Sequence, residues 1–100
     1  VVQIKPMDVE GHVILGIEVA LPKTNLLILT TDKGYIMCGA LDVDLLNEKL
    51  ADREVVAGRA VGVRTLEDLL TAPLQMVTIK AEKIGVHPGM SGRDALLKMM

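Results

Sequence analysis

Leu26-Leu27-Ile28-Leu29-Thr30-Thr31-Asp32-Lys33-Gly34-Tyr35-Ile36-Met37-Cys38-Gly39-Ala40 is the stretch that decides how this chain folds. Two aliphatic runs flank Asp32-Lys33-Gly34, which reads as a short hairpin loop with Gly34 expected at positive φ. Neither run alternates cleanly between apolar and polar, the pattern of central strands covered on both faces. With Asp32-Lys33 at the tip, Leu27 falls opposite Cys38 and Asn25 opposite Ala40.

Working outward, the N-terminal side continues as strands. Residues 2–9 are rich in β-branched side chains, Glu10-Gly11 makes a turn, and residues 12–21 resume the apolar run until Pro22 ends it. On the C-terminal side the signals become helical. Asp42 can cap a helix over 43–52, with Leu41, Leu45, Leu46 and Leu50 as its apolar stripe. Residues 55–63 read as a fifth strand, whose small residues Gly58, Ala60 and Gly62 predict close packing. Thr65-Leu66-Glu67-Asp68 resembles a capping box and opens a short helix that stops before Pro73. Residues 74–77 carry no clear pattern. Thr78 is expected to cap a helix ending at Gly85, and Ser91 the last one, with His87-Pro88-Gly89 as the hinge between them. The resulting expectation is an α+β fold. Four strands in a meander and one right-handed β-α-β crossover make a mixed five-stranded sheet with helices packed on it.

A length of 100 residues suits a single domain over 1–100. The formal charge of −2 gives no electrostatic reason to bind nucleic acid, and Tyr35 as sole aromatic leaves no stacking platform for single strands. Cys38 is the only cysteine, which excludes a disulfide scaffold and favours the reducing cytoplasm. Apolar runs broken by Glu18, Asp32 and Asp42 are too short to span a bilayer, and no signal peptide is visible. No metal site is expected, because His12 and His87 stand apart and no His-x-x-x-His spacing occurs. No cofactor is expected either: dinucleotide, Walker-type and Gly-x-Ser-x-Gly signatures are missing.

Chemistry is best sought at the edge where the strands end. If the fifth strand runs parallel to 35–40, its exit opens beside Cys38, and the turn after Leu21 lies on the same edge. Ligands of α/β sheets prefer that crevice, and helix N-termini favour anions there. Lys23, Thr24, Asn25, Cys38, Asp42, Arg64 and Thr65 therefore form the candidate site. Plainer readings compete at each position. Cys38 is most simply a small buried residue, Asp42 and Thr65 are helix caps first, Lys23 reads more as a solvated charge than as an anion ligand, and Asn25 serves as a loop brace. Arg59, on an otherwise apolar strand face, calls for an ion pair or an interface.

Four segments carry a family resemblance. They are Leu21-Pro22-Lys23-Thr24-Asn25-Leu26, Asp32-Lys33-Gly34-Tyr35-Ile36-Met37-Cys38-Gly39-Ala40-Leu41-Asp42, Gly58-Arg59-Ala60-Val61-Gly62-Val63-Arg64-Thr65 and Gly89-Met90-Ser91-Gly92-Arg93-Asp94-Ala95-Leu96. Over essentially its whole length the chain resembles the YunC-like family, small bacterial and archaeal proteins carrying a domain of unknown function. The resemblance implies a small cytoplasmic α+β protein and supplies no activity, substrate or catalytic residue. The leading expectation is a binding or assembly module. A thiol-dependent enzyme or redox protein using Cys38 on a small anionic substrate is the alternative, and a small-anion-sensing regulatory subunit is a third reading. Long aliphatic runs and a first strand at the sheet edge predict a homo-oligomer, most simply a dimer, with Met99 and Met100 as flexible contact surface.

Overall fold

The structure, a computed structural model, describes residues 2–39 and 55–100. Strands β1 (Val2–Val9), β2 (His12–Leu21), β3 (Thr24–Thr30) and β4 (Tyr35–Met37) form the antiparallel meander. Strand β5 (Ala57–Arg59) lies parallel to β4, in register Tyr35↔Ala57, Ile36↔Gly58 and Met37↔Arg59. The helix expected over 43–52 and its cap Asp42 lie outside the described residues.

The sheet has six strands rather than five, in the order β1-β2-β3-β4-β5-β6. Strand β6 (Met76–Val77) comes from the patternless residues 74–77 and runs antiparallel to β5. Two residues are too few to show a period, which is why the strand escapes a reading by periodicity. Strand β5 is also shorter than 55–63, because its ladder with β4 spans only three residues and Gly62, at φ 76°, turns the chain away.

Turn chemistry fixes the registers. Glu10 (φ 51°) and Gly11 (φ 86°) form a two-residue turn with both φ positive, matching the twist of a hairpin, and the Asp8 carboxylate accepts the Gly11 N–H at 2.9 Å. Pro22-Lys23 is an equally tight turn with Lys23 at φ 66°, so Thr24 and Asn25 belong to β3 and not to a loop. Gly34 does not adopt positive φ. It is small for a different reason: a Cβ there would stand 2.5 Å from the Val56 carbonyl oxygen and 3.0 Å from Met99 Sδ. The tip is closed by Thr31 instead, whose N–H donates to the Gly34 carbonyl at 2.8 Å.

Helices α1 (Leu66–Thr71), α2 (Ile79–Lys83) and α3 (Gly92–Lys98) are capped by Thr65, Thr78 and Ser91, as their sequences predict. They cover one face of the sheet. Val9, Ile14, Leu27, Leu29 and Ile36 from the strands meet Leu66, Leu69, Leu96 and Met99 in a single core. Met99 is fully buried there, contrary to its expected place on a contact surface. Its carbonyl accepts the Thr31 hydroxyl at 3.1 Å, while Lys33 Nζ donates to the Met100 carbonyl at 2.8 Å. The chain's last turn is thereby tied to the β3–β4 hairpin tip. Among the described residues no helix is long and apolar enough to cross a membrane.

Candidate functional site

The parallel pairing of β4 and β5 brings their carboxyl ends to one edge. Ala60 N–H donates to the Met37 carbonyl at 3.0 Å, and Cys38 N–H donates to the Leu27 carbonyl at 3.1 Å. Cys38 thus leaves β4 beside the start of β3, its Sγ 3.9 Å from the Asn25 carbonyl oxygen. The thiol belongs to the core cluster, with 8% of the residue exposed. The proximity of Cys38 to Asn25 involves the Asn25 backbone. Lys23 and Thr24 lie at the exposed end of the β2–β3 hairpin. Asp42 lies outside the described residues.

Arg64 and Thr65 follow the exit of β5 and begin α1. Their geometry is a capping box. Thr65 Oγ1 accepts the Asp68 N–H at 3.1 Å, while Asp68 Oδ2 accepts the N–H groups of Arg64 at 3.0 Å and Thr65 at 3.2 Å. A carboxylate of the chain itself therefore occupies the positive end of this short helix. The Arg64 backbone bond, followed by those from Thr65, holds the Asp68 carboxyl below its ordinary range. Glu67 is lowered as well, by its own backbone N–H first and then by Lys5, whose Nζ lies 3.1 Å away.

A folded-state pKa held below the unfolded value stabilises the protein above the unfolded value and ceases to as pH falls through the folded one. Asp68→Asn is accordingly expected to lose stability at neutral pH and little at low pH, flattening the acid limb of Tm against pH. Melting curves collected between pH 2 and pH 7, a span of about two units either side of the carboxyl range, check this. A variant whose acid limb parallels the wild type would refute it.

Arg59 has its partner on the neighbouring chain segment, donating from Nε to the Gln75 side-chain oxygen at 2.8 Å. Two clefts open at the opposite edge, around the hairpin tip. One, of about 320 Å³, lies between the start of β2, the tip and Met99-Met100; the other, of about 290 Å³, lies between the tip and Val55-Val56. Tyr35 borders the second, and burial pushes its phenol pKa up. Among the described residues no group of three or more His, Cys, Asp or Glu stands close enough to hold a metal ion.

The surface that a search for catalytic motifs overlooks is the outer face of the sheet. The pairs Val2↔Val19, Ile4↔Ile17, Pro6↔Leu15 and Asp8↔Val13 set these residues on the face away from the core. Val13 is 71% exposed, Ile4 65%, Val2 62% and Leu15 45%. The polar residues of the same hairpin, Gln3, Lys5, His12 and Glu18, alternate onto the helix-bearing face. Towards the middle of the sheet the outer face becomes half-buried, with Leu26 and Ile28 on β3 and Tyr35 and Met37 around the fully buried Ala57. The signal in the sequence is the row of aliphatic residues at alternate positions, Val2, Ile4 and Pro6 on β1 and Val13, Leu15, Ile17 and Val19 on β2, with Gln3, Lys5, His12 and Glu18 among the residues between them.

Comparison with known proteins gives a consistent picture. Residues 37–99 match the family described as a domain of unknown function, DUF1805. The chain is 60% identical over 99 residues to a Bacillus subtilis (strain 168) protein named "Uncharacterized protein YunC", covering 99% of this chain and 98% of that one. It is also similar to a crystal structure of a protein of unknown function, TA1206 from Thermoplasma acidophilum. There the TM-score is 0.89 at 32% identity, over 100% of this chain and 94% of the other.

Proposed function

The chain belongs to the DUF1805 family, and within it we propose a non-catalytic role, that of a binding and assembly module working through the outer face of the β1–β2 hairpin. The observation that carries this reading is the placement of charge. A sheet with one face in solvent directs its charged residues to that face. Here the outward positions of β1 and β2 are aliphatic except for Asp8, and that carboxylate is engaged by the turn.

The other readings have less support. A thiol-dependent enzyme needs an accessible nucleophile in an electropositive setting, whereas Cys38 packs in the core against a backbone carbonyl. A sensor of small anions at the strand-exit edge would draw on the start of α1, where the Asp68 carboxylate stands in the way.

Alkylation separates the readings. In the folded protein Cys38 is expected to stay unmodified by iodoacetamide for a time that fully alkylates glutathione, and to react once the chain is unfolded in urea. Rapid modification of the folded protein would overturn the module reading in favour of thiol chemistry.

A further inference from the structure

We propose that the outer face of the β1–β2 hairpin binds a second copy of this chain, two sheets stacking face to face about a two-fold axis. The proposal rests on the module reading and names its partner. A surface whose outward positions are Val2, Ile4, Pro6, Val13, Leu15, Ile17 and Val19, with Asp8 at its turn end as the one outward carboxylate of the hairpin, offers little charge for a polar or charged partner to read. It is complementary to another such surface, and its own copy is always at hand at equal concentration. Face-to-face sheets stack about 10 Å apart at about −30°, with branched side chains interdigitating.

Strand β1 has 8 residues and β2 has 10, so at about 3.4 Å per residue the face is roughly 27 Å long or more. Including the half-buried Leu26 and Ile28 of β3, three strands at about 4.8 Å spacing give a flat footprint of roughly 400 Å². That flat footprint, before side-chain relief is counted, is about half of the ~800 Å² per partner of a standard interface.

The same strand argues against pairing through its open edge. The two-residue turn makes Val9↔His12 a hydrogen-bonded pair, so Val9, Met7, Lys5 and Gln3 direct their backbone groups to β2. Val2, Ile4, Pro6 and Asp8 then direct theirs to the open edge, where Pro6 has no N–H to give. A proline at that position interrupts a β1–β1 ladder near its middle. The edge is blunted while the face is left apolar.

Sedimentation velocity of the full chain at micromolar concentration tests this. Wild type is expected to sediment as a dimer. Ile4→Glu and Leu15→Glu should each raise the dimer Kd by about 100-fold or more, as central interface residues do, with far-UV circular dichroism unchanged. Lys5→Gln, one position away on the opposite face, should leave the dimer intact. In a Cys38→Ala background, a bis-maleimide linker should join Leu15→Cys chains into dimers and leave Lys5→Cys chains single, a readout that survives if a glutamate variant fails to fold. A wild-type monomer, or a dimer indifferent to both glutamates and not linked through Leu15→Cys, would overturn the proposal. Should that monomer keep Cys38 inert to iodoacetamide, the module reading stands with another partner; should Cys38 react rapidly, both fall.

Discussion

Gly92→Ala is expected to destabilise the protein by at least about 3 kcal/mol, lowering Tm by roughly 12 °C or more for a chain of this size. Helix propensity alone predicts the reverse sign, since Ala exceeds Gly by about 1 kcal/mol within a helix. The contact decides otherwise. Gly92 is the first residue of α3, and a Cβ built on it would overlap the Leu69 carbonyl oxygen and stand 2.9 Å from the Leu69 carbonyl carbon. These are backbone atoms of α1, which cannot rotate away as a side chain could. Gly92 N–H also donates to the Ala72 carbonyl at 3.2 Å, just after α1, and Ser91 forms a bridge with Pro73. Making room means parting α1 from α3 and breaking those bonds. Arg93→Ala, one residue on, loses only an exposed 3.4 Å contact with Glu10 and should cost well under about 1 kcal/mol. A Gly92→Ala protein melting with the wild type would show that the two helices do not touch backbone to backbone.

Gly34 and Gly92, both required to be small by backbone distant in sequence, mark the limit of what is legible in the sequence. Local rules act within a few residues and were readable. Glu10-Gly11 makes its turn, Pro22 ends β2, Thr65 pairs with Asp68, and the meander follows from strand lengths and loops. Contacts over long separations leave no local mark. Gly34 looked like a turn glycine, yet its constraint comes from Val56 and Met99. Met99 looked like surface because a terminal helix end is often exposed, yet Thr31 and the core enclose it. Strand β6 exists only because Arg59 and Gly58 offer it a ladder. For the candidate residues, the neighbourhood of Cys38 and Asn25 followed from hairpin register alone. The occupation of the α1 start by Asp68 was half-written in the capping box. The apolar outer face follows from an alternation that sets Lys5 and Glu18 on the helix-bearing side and leaves Asp8 as the outward carboxylate, a pattern unreadable until the core side is known.

The second large effect is expected at Thr78, where a cap also serves the sheet. Thr78→Val should cost about 2–4 kcal/mol while Thr78→Ser retains most of the stability, a contrast readable from urea unfolding midpoints. Thr78 is 2% exposed, and its hydroxyl has three partners. It donates to the Val55 carbonyl at 2.7 Å and accepts the N–H groups of Ala57 at 3.2 Å and Ala81 at 3.3 Å. The bond from Ala81 caps α2; the other two brace the entry to β5, the strand that pairs parallel with β4. Valine keeps the shape and removes all three bonds, leaving the Ala57 and Ala81 N–H groups buried without that acceptor. An unpaired buried N–H costs about 1–3 kcal/mol, and a lost cap about 0.5–2 kcal/mol. Serine keeps the oxygen and gives up only a methyl group in the core. If valine and serine were equally tolerated, packing alone would hold α2 against β5, and the hydroxyl would be incidental. If serine were as damaging as valine, the methyl group would be the part that matters. The three bonds predict neither, because only an oxygen at this position can serve the helix start and the strand entry together.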